Sequence, residues 1–433
     1  MSFTETTTTS YGSRIKNSLG GIGTGFLMFI MGTCLLWWNE GRAVKTSKLL
    51  EEAQSVAKHV DDVSEIDPSL NGQLIHATAQ AETSDILQDD EFGYSAPVLK
   101  LCRNVAYYQY IEQAQMTTKD KIGGSQETTT TYTYNKSWTS SPVNSSEFAD
   151  STYRGKNFTL MRFADQVQTA DNVYFGAYRL TPSLISDITG FEDSKLVIDE
   201  SMLRAWDANI SRTLEEPGKQ KIAAAAAKLA EKTAEGKDST LTDTIASASD
   251  VVIDDNRYAN VHVSGNVVYF GKNPSSPQIG DVMVTFSEVK PGTVSLLAKV
   301  SGDSFEPFTA KNGKQLSIIT AGDVSMEEMF NLERQANNMW LWICRLIGTV
   351  LICIGLQLAF SILSTLLKVL PFLANIMNWG VNIVCTIIGI VWALLVIAIA
   401  WIFYRPWLGI AILVLIAAII YFFVKRGKKE EVV

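Results

Sequence analysis

Three runs decide how this chain folds: WLWICRLIGTVLICIGLQLAFSI at 340–362, WGVNIVCTIIGIVWALLVIAIAWIF at 379–403 and WLGIAILVLIAAIIYFFV at 407–424. A hydrocarbon core takes about 20 apolar residues per helical span, so each run reads as one span. Between Glu333 and Glu430 there is no Asp or Glu, and Arg334, Arg345, Lys368 and Arg405 are the only basic residues before the tail. Lys368 with Pro371, and Arg405 with Pro406, mark the breaks between runs. Trp340, Trp342, Trp379, Trp401, Tyr404, Trp407 and Tyr421 lie near the ends, as an aromatic belt at the membrane interface requires. A buried soluble core has no need of three such runs in succession.

A fourth run, 19–38, follows Arg14 and Lys16 and ends in Trp37-Trp38-Asn39-Glu40. It lacks the small-residue cleavage pattern of a signal peptide, so it reads as a retained span. Gly21, Gly25 and Gly32 share one of its faces. Similar small-residue stripes recur through Cys344, Gly348, Gly355 and Ala359, and through Cys385, Gly389, Ala393 and Ala400. In lipid such stripes are where helices approach closely. They fit a four-helix bundle and equally fit association between copies. Lys425, Arg426, Lys428 and Lys429 place the C-terminus on the cytoplasmic side by the positive-inside rule. Counting back four spans puts the N-terminus there too and all of 39–338 on the far side. Arg345, the one charge inside a span, stands near enough to an end to snorkel.

The formal net charge of the 433 residues is −8, and the ends are basic, with nine Lys and Arg against three Glu outside 39–338. The central region therefore carries about −14, which argues against a nucleic-acid partner. Cys102 is the only cysteine outside the runs, so the central region folds without an internal disulfide. Strand-like stretches at 73–80, 98–109, 130–138, 261–270, 282–289, 294–300 and 315–320 are separated by turn signals. Lys311-Asn-Gly-Lys314 is the clearest hairpin among them. Lys219–Glu235 is a strong helix former within a region near 201–249. Ser325 with Glu328 forms a capping-box pattern that would start a stiff helix running into the second span.

Catalytic and metal signatures do not emerge. His59, His76 and His262 stand isolated in sequence, and the acidic pairs Asp61-Asp62, Asp89-Asp90 and Asp254-Asp255 read as solvated loop charge. Gln357, Asn378, Asn382 and Thr386 would line a conducting path or bond between helices. Sequons occur at Asn135, Asn144, Asn157 and Asn209.

Several stretches carry a family resemblance: Asn39-Glu-Gly-Arg-Ala-Val-Lys-Thr46, Ala96-Pro-Val-Leu-Lys-Leu101, Tyr108-Gln-Tyr110, Tyr132-Thr-Tyr-Asn-Lys-Ser-Trp138, Asn273-Pro274 with Gly280-Asp281, Gly322-Asp323 through Phe330, and Phe403-Tyr-Arg-Pro406. In their order and spacing the chain resembles the transmembrane protein 43 (LUMA) family. The resemblance implies four spans, a large lumenal domain and both termini cytoplasmic or nucleoplasmic. It implies residence in the endoplasmic reticulum and inner nuclear membrane in eukaryotes, with self-association and envelope partners such as emerin and lamins. In bacteria it implies the inner membrane, with a periplasmic domain. The region 201–249 departs from the family and looks like an insertion. No catalytic residue comes with the resemblance.

The expected fold is thus α+β, a multi-pass α-helical membrane protein of four spans with a large β-rich non-cytoplasmic domain. Its parts are a flexible N-terminus (1–18), a span (19–38), an α+β domain (39–338), three spans (339–424) and a basic tail (425–433). The expected function is a non-enzymatic scaffold without cofactor or metal, partnered by the lipid bilayer, by further copies of itself and by other membrane or envelope proteins. The alternative is an ion- or solute-conducting protein. Gly21, Gly25, Gly32, Gly348, Gly355, Gly389 and Ala393 are the expected helix-packing residues. Asn39, Glu40, Gly41, Arg42, Tyr404, Arg405 and Pro406 are motif residues of unassigned role.

Overall fold

The computed structural model describes residues 2–215, 258–366 and 371–405. The expected helix at 219–235, the run at 407–424, Pro406 and the tail lie outside these residues. The α-helices described are α1 (Tyr11–Val56), α2 (Pro182–Asp187), α3 (residues 200–215), α4 (Met326–Leu366) and α5 (Pro371–Tyr404). Three of them, α1, α4 and α5, are long and apolar enough to cross a membrane. The chain divides into two compact units, and the boundary does not fall at the bilayer.

One unit holds Thr4–Ala79, Gln115–Thr131 and everything from Val294 onward, and so joins the membrane helices to part of the β structure. The cause is helix length. At 46 and 41 residues, α1 and α4 extend about 69 and 62 Å, twice the hydrocarbon thickness. They pack along each other over that length. Ser18 Oγ meets Thr365 Oγ1 at 2.9 Å, and Asn39 Nδ2 donates to the Leu341 carbonyl at 3.0 Å. Those two levels are about 31 Å apart along α1, the depth of one bilayer core. Beyond Asn39, Leu49, Leu50 and Ala53 of α1 and Met329 and Phe330 of α4 enter one buried cluster with Leu74, Leu297, Ala310 and Leu316. Leu74 begins the strand Leu74–Thr83, which pairs in parallel with Lys58–Val60 and also joins Gly292–Ser301. The last pairs in turn with Ile318–Ala321 and Ser304–Glu306. The expected hairpin is present: Phe308–Thr309 pairs with Gln315–Leu316, and Gly313 takes φ +79° at the turn. It docks on α1, where Asn312 Nδ2 donates to the Lys45 carbonyl at 2.7 Å.

Within the stretch expected as a flexible N-terminus (1–18), residues 2–18 form regular elements. Ser2–Thr9 is a strand, and Ser10 caps α1 by accepting from Ser13 N. Arg14 is buried. It pairs with Asp120 at 2.7 Å and donates to the Gly124 carbonyl at 2.8 Å. Asp120 and Gly124 belong to the tip joining the strands Lys100–Asp120 and Gln126–Thr139, where Gly123 and Gly124 take φ of +90° and +84°. The Tyr11 ring lies where a side chain at Gly124 would stand.

The other unit holds Gln80–Ala114 and Tyr132–Thr293. Its sheet pairs Lys100–Tyr107 with Val282–Val289, then Val267–Phe270, then Val261–Ser264, all antiparallel. The stretch expected as one strand at 261–270 is a hairpin turning at Gly265, φ +61°. Phe92, Phe163, Trp206, Phe270 and Phe286 form its aromatic core, with ring centroids 4.8 to 6.5 Å apart. Asp89, expected in solvent, is buried and takes both oxygens of its carboxylate to Arg103 Nη1 at 2.9 and 2.8 Å. An unpaired carboxylate could not be buried there, which explains the arginine. Among the sequons, Asn157 is tied down on both sides of its amide by Tyr110.

Candidate functional site

The described motif residues, Asn39, Glu40, Gly41, Arg42, Tyr404 and Arg405, converge where α1, α4 and α5 meet at one end of their apolar lengths. Asn39, Glu40, Gly41 and Arg42 occupy a little over one turn of α1, so they point in different directions around the helix. Asn39 reaches α4 through the Leu341 carbonyl, and its Oδ1 accepts from Arg42 Nε and Nη2 at 3.3 and 3.1 Å. Arg42 Nη1 then donates to Asn337 Oδ1 at 3.1 Å, and Asn337 Nδ2 returns to the Ala43 carbonyl at 3.1 Å. Glu40, 2% exposed, accepts from Arg345 Nε at 2.6 Å. The Arg345 guanidinium also lies over the Trp342 ring, 4.8 Å from its centroid. Arg345 was expected to snorkel to water; a buried carboxylate one helix away holds it instead. Gly41 faces α5. A Cβ there would stand 2.6 Å from Cζ of Tyr404, so the missing side chain is the seat of the tyrosine ring. Trp37 packs against Phe403 and Tyr404, and Arg405 lies over Trp401.

This collar of amides, ions and rings lies at the level where chain polarity must change. Asn39, Glu40, Arg42 and Asn337 each reach a partner on the same or the neighbouring helix, which keeps a polar layer stable beside lipid, while Arg345 Nη2 and Trp401 Nε1 are buried without a hydrogen bond among the described residues. One turn beyond, Lys314 donates to Thr46 Oγ1 at 2.6 Å. Burial, with Arg42 and Lys45 nearby, holds its ammonium below the usual lysine range.

The small-residue stripes are used within one chain. A Cβ at Gly25 would lie 2.5 Å from Ala359 N and the Gly355 carbonyl, and one at Gly355 2.7 Å from the Gly25 carbonyl and Phe29 N. Gly32 and Gly348 repeat the contact two turns on, at 2.8 Å from the Gly348 carbonyl and 2.7 Å from Leu36. Gly21 has looser room, 3.8 Å from Ser361 Oγ. Gly389 lets α5 approach α4 at Cys353, and Ala393 joins Leu36, Ile352 and Val396 in a buried cluster. Gln357 Nε2 donates to Thr386 Oγ1 at 3.0 Å and Thr386 to the Asn382 carbonyl, so these polar groups bond between and along helices. Among the described residues, Leu346, Val350 and Ile354 on α4, and Val384, Ile387, Val391 and Leu394 on α5, face outward.

Comparison with known proteins bears directly on this collar, since the matched region runs through both Arg345 and Tyr404. A family model described as Transmembrane protein 43 matches residues 107–406. The chain belongs to the transmembrane protein 43 family. Transmembrane protein 43 of Homo sapiens and that of Rattus norvegicus are each 28% identical over 405 residues, covering 91% of this chain and 86% of the relative. The Transmembrane protein 43 homolog of Drosophila melanogaster is 24% identical over 397 residues, 90% of each chain. No solved structure matches. Membership of the transmembrane protein 43 family and the apolar helices together make this an integral membrane protein. Sequence reading missed the pairing of His59 with His76, which nothing but the parallel strand register brings about.

Proposed function

We propose that this member of the transmembrane protein 43 family is a non-enzymatic membrane scaffold that self-associates and organises other membrane proteins. The observation that carries this reading is the continuity of α1 and α4 from the glycine-packed bundle into the buried cluster around Leu50 and Phe330. A body so joined cannot swivel on its anchor, which suits an element that fixes neighbours at a set place on a membrane. The glycine stripes are occupied inside the chain, so self-association uses the outward faces of α4 and α5. Residence in the endoplasmic reticulum and inner nuclear membrane, with emerin- or lamin-like partners, extends the same reading to a eukaryotic setting. Photo-crosslinkers placed at Ile354 and Leu394, in the full chain in native membranes, test it. Reproducible adducts with a second copy or with one set of membrane proteins support the scaffold; adducts with lipid alone remove it.

A further inference from the structure

His59 and His76 stand opposite each other in the parallel pairing of Lys58–Val60 with Ile75–Ala77. Their Nδ1 atoms are 2.9 Å apart and their ring centroids 5.1 Å apart. That centroid distance is close to the greatest that two imidazoles can reach at this nitrogen separation. The two Nδ1 lone-pair directions therefore face each other along one line. A metal ion needs its nitrogens to converge at an angle, so a proton is what fits between these.

The hydrogens follow from the partners. His76 is 2% exposed and its Nε2 meets the Val324 carbonyl at 2.9 Å. A carbonyl only accepts, so Nε2 carries the hydrogen and Nδ1 of His76 is the acceptor. His59 donates to it from Nδ1. The His59 Nε2 also lies 3.0 Å from Asp61 Oδ1, so in this arrangement His59 is an imidazolium and the pair holds one proton beyond neutrality. Without that proton the pair still keeps its bond, because Asp61 is 95% exposed and turns to water. A second proton has no place, since it sets N–H against N–H and charge beside charge. Burial foremost, and His59 beside it, hold His76 below the ordinary imidazole range, against the pull of the Val324 carbonyl and Asp323.

We propose that His59 and His76 form an acid-sensitive latch, closed when the pair carries one proton beyond neutrality or none and forced open by a second. What it holds is the start of α4. Val324 precedes Ser325, whose Oγ caps the helix by accepting from Glu328 N at 3.3 Å, and Val324 N donates to Ser295 Oγ at 2.8 Å. Asp61 beside the Lys58–Val60 strand, Asp323 on the loop before α4, and Glu327 and Glu328 in its first turn are the charged groups around the pair. The cleft of about 540 Å³ that the imidazoles line has no Lys or Arg among its lining residues. Opening the latch frees the sheet from the entry of a membrane helix, a response to compartment acidity that goes beyond anchoring.

Hydrogen exchange of the full chain in lipid nanodiscs, corrected for intrinsic rates, reads the latch at about pH 7.5 and about pH 5, on either side of the imidazole range. Amides at 58–60, 75–78 and 324–328 should exchange at least about tenfold faster at the lower pH. His59→Gln keeps an amide donor for His76 Nδ1 and takes no proton, so it should abolish the acid step; His262→Gln should retain it. An acid step that survives in His59→Gln, or none in the wild type, overturns the proposal. Should His59→Gln not fold, imidazole ¹⁵N shifts of the wild type decide: two separated titrations, with His76 second, support the latch, and two independent, coincident ones overturn it.

Discussion

Replacing Arg345 by Leu removes the cation from a carboxylate that has nowhere else to turn. Glu40 is 2% exposed and its Oε1 lies 2.6 Å from Arg345 Nε, with the guanidinium itself only 12% exposed. Losing one partner of such a buried pair costs about 3–5 kcal/mol, because the remaining charge must be desolvated alone or take up a proton. The lost stacking on Trp342 adds about 0.5–2 kcal/mol. At roughly 2 °C per kcal/mol for a body of this size, the unfolding midpoint in detergent should fall by about 7–14 °C. Replacing both residues, Glu40→Leu with Arg345→Leu, should recover most of that loss, since an apolar pair of similar volume is often neutral. The double-mutant cycle should return a coupling of at least about 2 kcal/mol. Additive single-site losses, or a single variant within about 1 °C of wild type, would refute the claim that this pair holds α1 to α4.

Gly25→Val drives a side chain to within 2.5 Å of backbone atoms of α4, which cannot move aside, and should abolish a folded, monodisperse preparation. Gly20→Val meets open space and should leave the elution profile unchanged. With native cysteines replaced, Ser13→Cys and Ile122→Cys should react with an impermeant maleimide from the same face of sealed vesicles; labelling from opposite faces would dissolve the Arg14 contact with the hairpin tip. Burial, the largest cause, raises the Asp281 carboxyl, opposed by hydrogen bonds from Gln278 N and the Tyr269 hydroxyl. A raised acid binds more protons folded than unfolded, so its stabilisation is lost as pH climbs from the ordinary carboxyl value through the raised one. Wild type should therefore lose midpoint relative to Asp281→Asn as pH rises above the ordinary carboxyl value of about 4, and a flat difference there would count against it.

Hydropathy alone located the three described helices that are long and apolar enough to cross a membrane, because in lipid every backbone amide must bond within its own helix and side chains must be apolar over a set length. The spacing of Gly25, Gly32, Gly348, Gly355 and Gly389 named the close-packed faces for the same local reason, and the Asn-Gly turn at 312–313 was legible from the backbone angles that glycine permits. Which copy those faces met was not legible, since periodicity is the same whether the partner helix belongs to the chain or to a neighbour. Nor was the collar: Glu40 and Arg345 are 305 residues apart, and only the antiparallel register of α1 and α4 sets one against the other. Asp89 read as surface charge until Arg103 arrived from another strand, and two solitary histidines became a pair through the alignment of Lys58–Val60 beside Ile75–Ala77. Composition and period act along the chain, so the sequence by itself determined where helices and turns form. Ion pairs and shared protons act across space at hydrogen-bond distance, and the tertiary fold alone decided which groups stand that close.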